Sequence, residues 1–346
     1  MAIERPDDFI QREIRKERVR WTGNEKFDAM VESYEERPNE SEFADIYDSK
    51  EIAEDIKGIE AVEKMHGKPT KIGLLFEAVS LDSINKRGWL GKNKLARRTS
   101  RHDDYMNGND AVIYKRGESE DKPVFALDFT TEEGERENYQ KMARTLKDLE
   151  SGKMPEIKYH QTEDGKHENL KLPRAVVGVD HQNALALFKD YVDGFKNESM
   201  VKIDKHPIQV EFIRQIQRQF ILGIESAILG VADELGHKTK GSEDPFITEL
   251  RGLQRKLEPY ETDRLQGSKI LKSVTDKLHE MREFFEKKYP EMAQRIYSHL
   301  DAIDELEKSL KEKDSEGIQA PEVIGITEKQ LQIPRKGDIT RLARSA

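Results

Sequence analysis

Between residues 70 and 195 the spacing of apolar positions changes repeatedly, and each change predicts a new element. KIGLLFEAVSLDSINKRGWL places Ile72, Leu75, Phe76, Val79 and Ile84 at helical spacing, and Gly88 ends the run. Two shorter runs, DAVIY and VFALDFT, then alternate with period two and predict adjacent strands joined by a charged turn. In the first, Ala111 and Ile113 share one face while Asp110, Val112 and Tyr114 share the other. In the second, Phe125, Leu127 and Phe129 oppose Ala126, Asp128 and Thr130. Runs this continuously apolar are typical of central strands. Tyr139, Met142, Leu146 and Leu149 then predict an amphipathic helix over 132–152, stopped by Gly152. MPEIKYHQ and LKLPRAVVGVDHQ predict two further strands around the polar turn QTEDGKHEN, followed by a helix from Asn183 to Phe195. The order helix, strand, strand, helix, strand, strand, helix predicts an α/β or α+β fold, a small mixed sheet flanked by helices, over 67–200.

The flanks lack strand patterns. Residues 1–66 carry sparse apolar positions at near-helical spacing, broken at Pro38-Asn39, and predict a charged helical arm packed on the body or on another subunit. Beyond Pro207 the chain reads as amphipathic helices, about 28 residues of them from Ile208. Over 201–313 it predicts a helical bundle or coiled-coil hairpin through which the protein would form a homo-oligomer. The segment 314–346, with Pro321, Pro334 and a basic end, predicts a flexible tail.

Composition narrows the class. Charged residues are 37% of the 346 and hydrophobic ones 35%, which predicts a modest core with long solvated helices. The net charge of −9 confines any nucleic-acid contact to local basic patches. Without cysteine there are no disulfides, thiolate metal sites or cysteine nucleophiles. MAIERPDDFI lacks the apolar core of a signal peptide, and no window reaches ~18 apolar residues, so a cytoplasmic protein without membrane contact is expected. No phosphate-loop, nucleophile-elbow or dinucleotide glycine motif occurs, which disfavours nucleotide-driven motors and α/β-hydrolases.

The candidate chemistry lies in the two strands. Asp110 and Asp128 stand in otherwise hydrophobic company, and such groups are costly to bury unless something positive compensates them. Acids projected from adjacent strands are also what a divalent metal site requires. Glu77, between Phe76 and Ala78, reads in isolation as a surface residue; joined to the aspartates it completes a set of three carboxylates. This element order with these acids resembles the core of the PD-(D/E)XK nuclease superfamily, over residues 70–181. The phrases Asn-Gly-x-Asp and Leu-Asp-x-Thr also resemble uncharacterised bacterial proteins.

The superfamily resemblance implies a restriction-endonuclease-like core that cleaves DNA or RNA phosphodiesters. In it Asp110 is the first acid, Asp128 the acid of the acid-x-lysine pair and Glu77 the helix acid, together holding Mg²⁺ (or Mn²⁺). The family's lysine, which positions or activates the attacking water, falls on Thr130, whose hydroxyl holds a water but carries no charge. Lys141 or Arg144 on the following helix, or Lys158, would then supply the cation. The alternative is a relative that has lost catalysis, a nucleic-acid-binding or oligomeric scaffold whose aspartates pair with Arg97, Arg98 or Arg101 as structural salt bridges.

For nucleic acid, the candidate surface is 86–101, where Lys92, Lys94, Arg97, Arg98 and Arg101 surround Trp89. The competing reading is a solvated loop anchored by that tryptophan. His102-Asp103-Asp104 has metal-ligand composition but reads as a solvated turn, folded toward the sheet by Asn107-Gly108. His160, Asp164 and His167 lie in a polar hairpin where a zinc site is a weaker candidate.

Overall fold

The computed structural model describes residues 24–66, 70–118, 120–131, 154–162, 164–238, 245–257 and 273–318. Helices α1 (Glu25–Ser33) and α2 (Ser49–His66) precede α3 (Lys71–Arg87). Strand β1 (Lys94–Arg98), helix α4 (Arg101–Asn107) and strands β2 (Ala111–Lys115) and β3 (Lys122–Thr130) follow. After them come β4 (Glu156–Gln161), β5 (His167–Lys171) and β6 (Arg174–Gly178). The described chain then continues in helices: α5 (His181–Lys196), the short α6 (Val201–Asp204), α7 (Ile208–Lys238), α8 (Pro245–Leu257), α9 (273–280), α10 (Arg282–Lys288) and α11 (Pro290–Ser315). The fold is thus mixed α/β. The helix expected over 132–152, with Lys141 and Arg144, lies outside the described residues.

Two sheets form. The larger has the order β1-β2-β3-β6, with β1, β2 and β3 antiparallel neighbours and β6 parallel to β3; β4 and β5 make a separate antiparallel hairpin. Two departures from the sequence pattern follow from charge and from proline. β1 was hidden because Lys94, Arg97 and Arg98 mask its apolar positions, Leu95 and Ala96. LKLPRAVVGVD, expected as one strand, is split by Pro173 into β5 and β6, which join different sheets. Proline has no N–H to continue a ladder, and the Pro173 carbonyl instead accepts from Ala126 N at 2.8 Å.

The alternation read from the sequence sorts the two faces of the larger sheet. Ala111, Ile113, Phe125, Leu127, Phe129, Ala175 and Val177 face a continuous apolar core shared with α3, α7 and α11. Edge-to-face rings carry it across the layers: Phe76 meets Phe129 and Phe212 at 6.1 and 5.8 Å, and Phe125 meets Phe220 at 5.4 Å. On the opposite face, Val112, Tyr114 and Ala126 pack with Ile157 and Leu172 of the hairpin. The core is continuous across residue 200, so the C-terminal helices complete the sheet's cover. The described part of the arm, from residue 24, docks on its own body, with Phe27, Met30 and Val31 in the main core and Phe43 and Ile52 against Tyr159; residues 1–23 lie outside the described residues.

Both edges of the larger sheet are closed by side-chain amides. On β1, Asn85 Oδ1 accepts from Ala96 N at 2.6 Å and Asn85 Nδ2 donates to Ala96 O at 2.9 Å. On β6, Gln219 Oε1 accepts from Val176 N at 2.9 Å and its Nε2 donates to Val176 O at 2.7 Å. Gln215 treats Gly178 the same way, at 2.9 and 3.0 Å. The fit is geometric. Residues four apart on a helix rise about 6 Å, close to the spacing of alternate residues on a strand. Glutamines one turn apart on α7 therefore imitate a neighbouring strand.

Candidate acid site and its counter-charges

The site forms where α3, the ends of β1 and β3, and the start of β2 meet. Thr70 caps α3, its hydroxyl accepting from Gly73 N at 3.1 Å, and Gly88 closes it in the left-handed conformation at φ 63°. The helix presents Glu77 inward, 8% exposed. Asp128, 7% exposed, stands on β3, and Asp110, 6% exposed and expected inside the strand, immediately precedes β2.

Each acid is met by protein. Glu77 forms an ion pair with Arg98 of β1 and lies 3.6 Å from Arg37 Nη2 in the segment after α1. Arg37 also pairs with Asp104 of α4, and Arg98 donates to Tyr34 O at 2.6 Å. Asp110 feels both guanidiniums, and its Oδ2 accepts from Phe129 N at 2.6 Å. Burial works against the charge on Arg37, yet Asp104, Glu77 and Asp110 outweigh it and raise its pKa. For Arg98 burial wins and the shift is downward despite Glu77. Both stay cationic, because arginine does not deprotonate in proteins. Three carboxylates thus enclose two fixed positive charges.

Asp128 lies one step away, beside Arg174 of β6. A Cβ added at Gly108 would come within 3.1 Å of Arg174 Nη1 and 3.6 Å of Asp128 Oδ2, so both side chains crowd against that glycine. Gly108, at φ 66°, ends α4, and Arg174 donates to the carbonyl of Asn107. Thr130 is 5% exposed, and its carbonyl accepts from Val179 N at 3.3 Å.

Asn107-Gly108 therefore closes a helix, and the expected solvated turn at His102-Asp103-Asp104 is the buried first turn of α4. Ser100 caps it, accepting from Asp103 N at 3.1 Å and donating to Asp103 Oδ2 at 2.9 Å. The fully buried Asp103 also accepts from Lys158 N and Tyr159 N, at 2.7 and 3.0 Å, and so ties the hairpin to α4. Lys158 itself pairs with Glu51 at 2.6 Å and Asp55 at 2.5 Å, away from the acids. His160, Asp164 and His167 each have a separate partner: Tyr114, Lys166 and Asp45.

The basic segment is internally paired. Lys92 meets Glu316 at 2.9 Å, Arg97 meets Asp121 at 3.0 Å and Arg101 meets Glu63 at 2.6 Å. Lys94, 1% exposed, reaches Glu305 of α11 at 2.7 Å. Trp89 is fully buried and donates Nε1–H to Ile203 O at 3.1 Å, so its ring faces protein.

An ion such as Mg²⁺ needs its oxygen ligands at ~2.0–2.1 Å from one point. Glu77 is instead drawn toward two guanidiniums and Asp110 toward a backbone N–H. Among the described residues no three His, Cys, Asp or Glu are grouped to hold an ion. Sequence reasoning missed Arg37 and Arg174, because an arginine beside a proline carries no periodic signal; only the fold brings them to the acids.

The fold and site together define a mixed α/β protein with an acid cluster in which Glu77 and Asp104 pair with arginines of the same chain. Comparison with family models, with curated proteins and with solved structures finds no match for the chain.

Proposed function

We propose that this chain is a non-catalytic nucleic-acid-binding protein built on a nuclease-like core. The observation that carries the reading is the pair of guanidiniums, Arg37 and Arg98, among Glu77, Asp104 and Asp110. Two such groups supply the +2 charge that the acids would otherwise draw from a divalent ion. Removing either would leave buried carboxylates uncompensated. Thr130, at the position of the family's lysine, supplies no charge for activating water.

The test is incubation with plasmid, single-stranded DNA and RNA, with Mg²⁺ or Mn²⁺ against chelator. Retained, uncut nucleic acid and no metal-binding heat are the expected results. A second reading, metal-dependent phosphodiester cleavage, is favoured by Asp110 and Asp128 meeting at one end of adjacent strands, since Asp110 Oδ2 bonds the backbone next to Asp128. Mg²⁺-dependent cutting that disappears in Asp110→Ala or Asp128→Ala would establish it and overturn the first.

A further inference from the structure

A cleft of about 790 Å³ opens between the end of α4, the hairpin and the start of α11. That volume lies within the range of about 300–1,000 Å³ usual for ligand pockets. Its cationic lining is Lys171 at the end of β5, Arg174 at the start of β6 and Arg295 on the second turn of α11. Two acids, Glu156 and Glu291, also line it, and Glu156 is engaged by Asn169 Nδ2. Three cations and two acids line it on a chain whose net charge is −9. Arg174 is 7% exposed and already donates to the Asn107 carbonyl, so the positive character rests on Lys171 and Arg295 with Arg174 behind them. Partial burial pushes the pKa of the Arg295 guanidinium down, so a half-buried cation forms part of the wall. The first turns of α11 add the positive end of a 26-residue helix. Met106, 48% exposed, and Met154 stand among the lining residues and give them an apolar component.

We propose that this cleft binds phosphate groups of a single-stranded nucleic acid, with Lys171, Arg174 and Arg295 meeting phosphate and the methionines meeting bases. The assignment rests on the binding reading above and adds where the strand is held. A dry apolar pocket would suit a neutral ligand. This one combines cations with soft, polarizable methionine side chains that adapt to irregular apolar surfaces.

The chain has no cysteine, so Gln294→Cys, at an exposed position on the cleft wall, creates a unique site for an environment-sensitive fluorophore. The labelled protein is titrated at low salt with a single-stranded DNA 12-mer, with adenosine monophosphate and with inorganic phosphate. Fluorescence anisotropy of a labelled 12-mer is followed in parallel. The oligonucleotide is expected to shift the probe. Lys171→Glu, at an exposed position, and Arg295→Gln are each expected to weaken binding roughly 5- to 10-fold. Each should also lower the slope of log Kd against log salt by about 0.7, the value for one lost phosphate contact on a single strand. Unchanged melting temperatures in both variants would show that the fold is retained.

Anisotropy that reports binding without a probe response, or with equal affinity in both variants, overturns the cleft and leaves the binding reading intact. Absence of any oligonucleotide binding overturns both. A monophosphate that saturates the probe at lower concentration than the 12-mer overturns the polynucleotide assignment in favour of a small phosphorylated ligand. Mg²⁺-dependent cutting with a normal probe response overturns only the non-catalytic reading.

Discussion

Gln219→Met tests whether the edge of the central sheet is closed by a side chain. Methionine keeps the length and flexibility of glutamine but can neither accept from Val176 N nor donate to Val176 O. Gln219 is 2% exposed and both bonds are buried, so water cannot take its place. An unsatisfied buried backbone group costs about 1–3 kcal/mol, and two are created. The lost bond from Gln219 Nε2 to Gln215 O, 3.0 Å long, adds to this. The greater apolarity of methionine offsets part of it, which leaves a destabilisation of about 2–4 kcal/mol, a large share of the ~5–15 kcal/mol typical of folded proteins. Urea unfolding followed by circular dichroism measures it. Asn85→Leu at the opposite edge should cost less, since its bonds to Ala96 are only part-buried, and the two changes should add, since they share no partner. A Gln219→Met protein that unfolds within about 0.5 kcal/mol of the parent, with an unchanged urea dependence, would refute the reasoning.

Two further tests address charge. Arg37→Met removes one of the two guanidiniums and should destabilise the protein by about 3 kcal/mol, the lower end of the range for breaking a buried pair. Added Mn²⁺ should raise the melting temperature of the variant and not of the parent; equal responses would refute cation substitution. Stability should also fall with acidification below pH 6.5. Burial lowers His160 and His299 to about 4, with Arg97 adding to the effect on His160, so as pH drops the unfolded chain binds protons first. Each histidine contributes a slope of about 1.4 kcal/mol per pH unit between 6.5 and 4. Glu305 acts lower. Burial opposes its charge, but hydrogen bonds from Lys308, Lys94 and Lys115 win and hold it at about 2, so its stabilisation is lost as pH falls from 4.5 toward 2. Stability that is flat from pH 7 to 5 would contradict the burial of the histidines.

The helical and strand periods were legible because burial imposes them locally. The α3 stripe, the alternation in DAVIY and VFALDFT and the apolar run of β6 each present one face to the same core. Charge hid β1, since Lys94 and Arg98 are buried against Glu305 and Glu77, acids more than 200 and about 20 residues away. Composition alone cannot distinguish such a strand from a solvated basic loop. The same ambiguity applied to His102-Asp103-Asp104, whose burial depends on β4 arriving to donate two backbone N–H groups to Asp103.

Local pattern by itself determined α3, β2, β3 and the apolar run of β6, and the strand face on which Asp128 lies, because side-chain direction follows from backbone period. Tertiary structure decided their partners. Arg37 comes from the arm, Arg98 from an edge strand and Arg174 from beyond Pro173, and all three reach the acids only after the sheet has formed. Ion pairs between segments distant in sequence leave no periodic trace, since they depend on where charges meet and not on how they are spaced. For that reason the acid set was visible in the sequence with Arg98 as one of three candidate partners, while Arg37 and Arg174 were not.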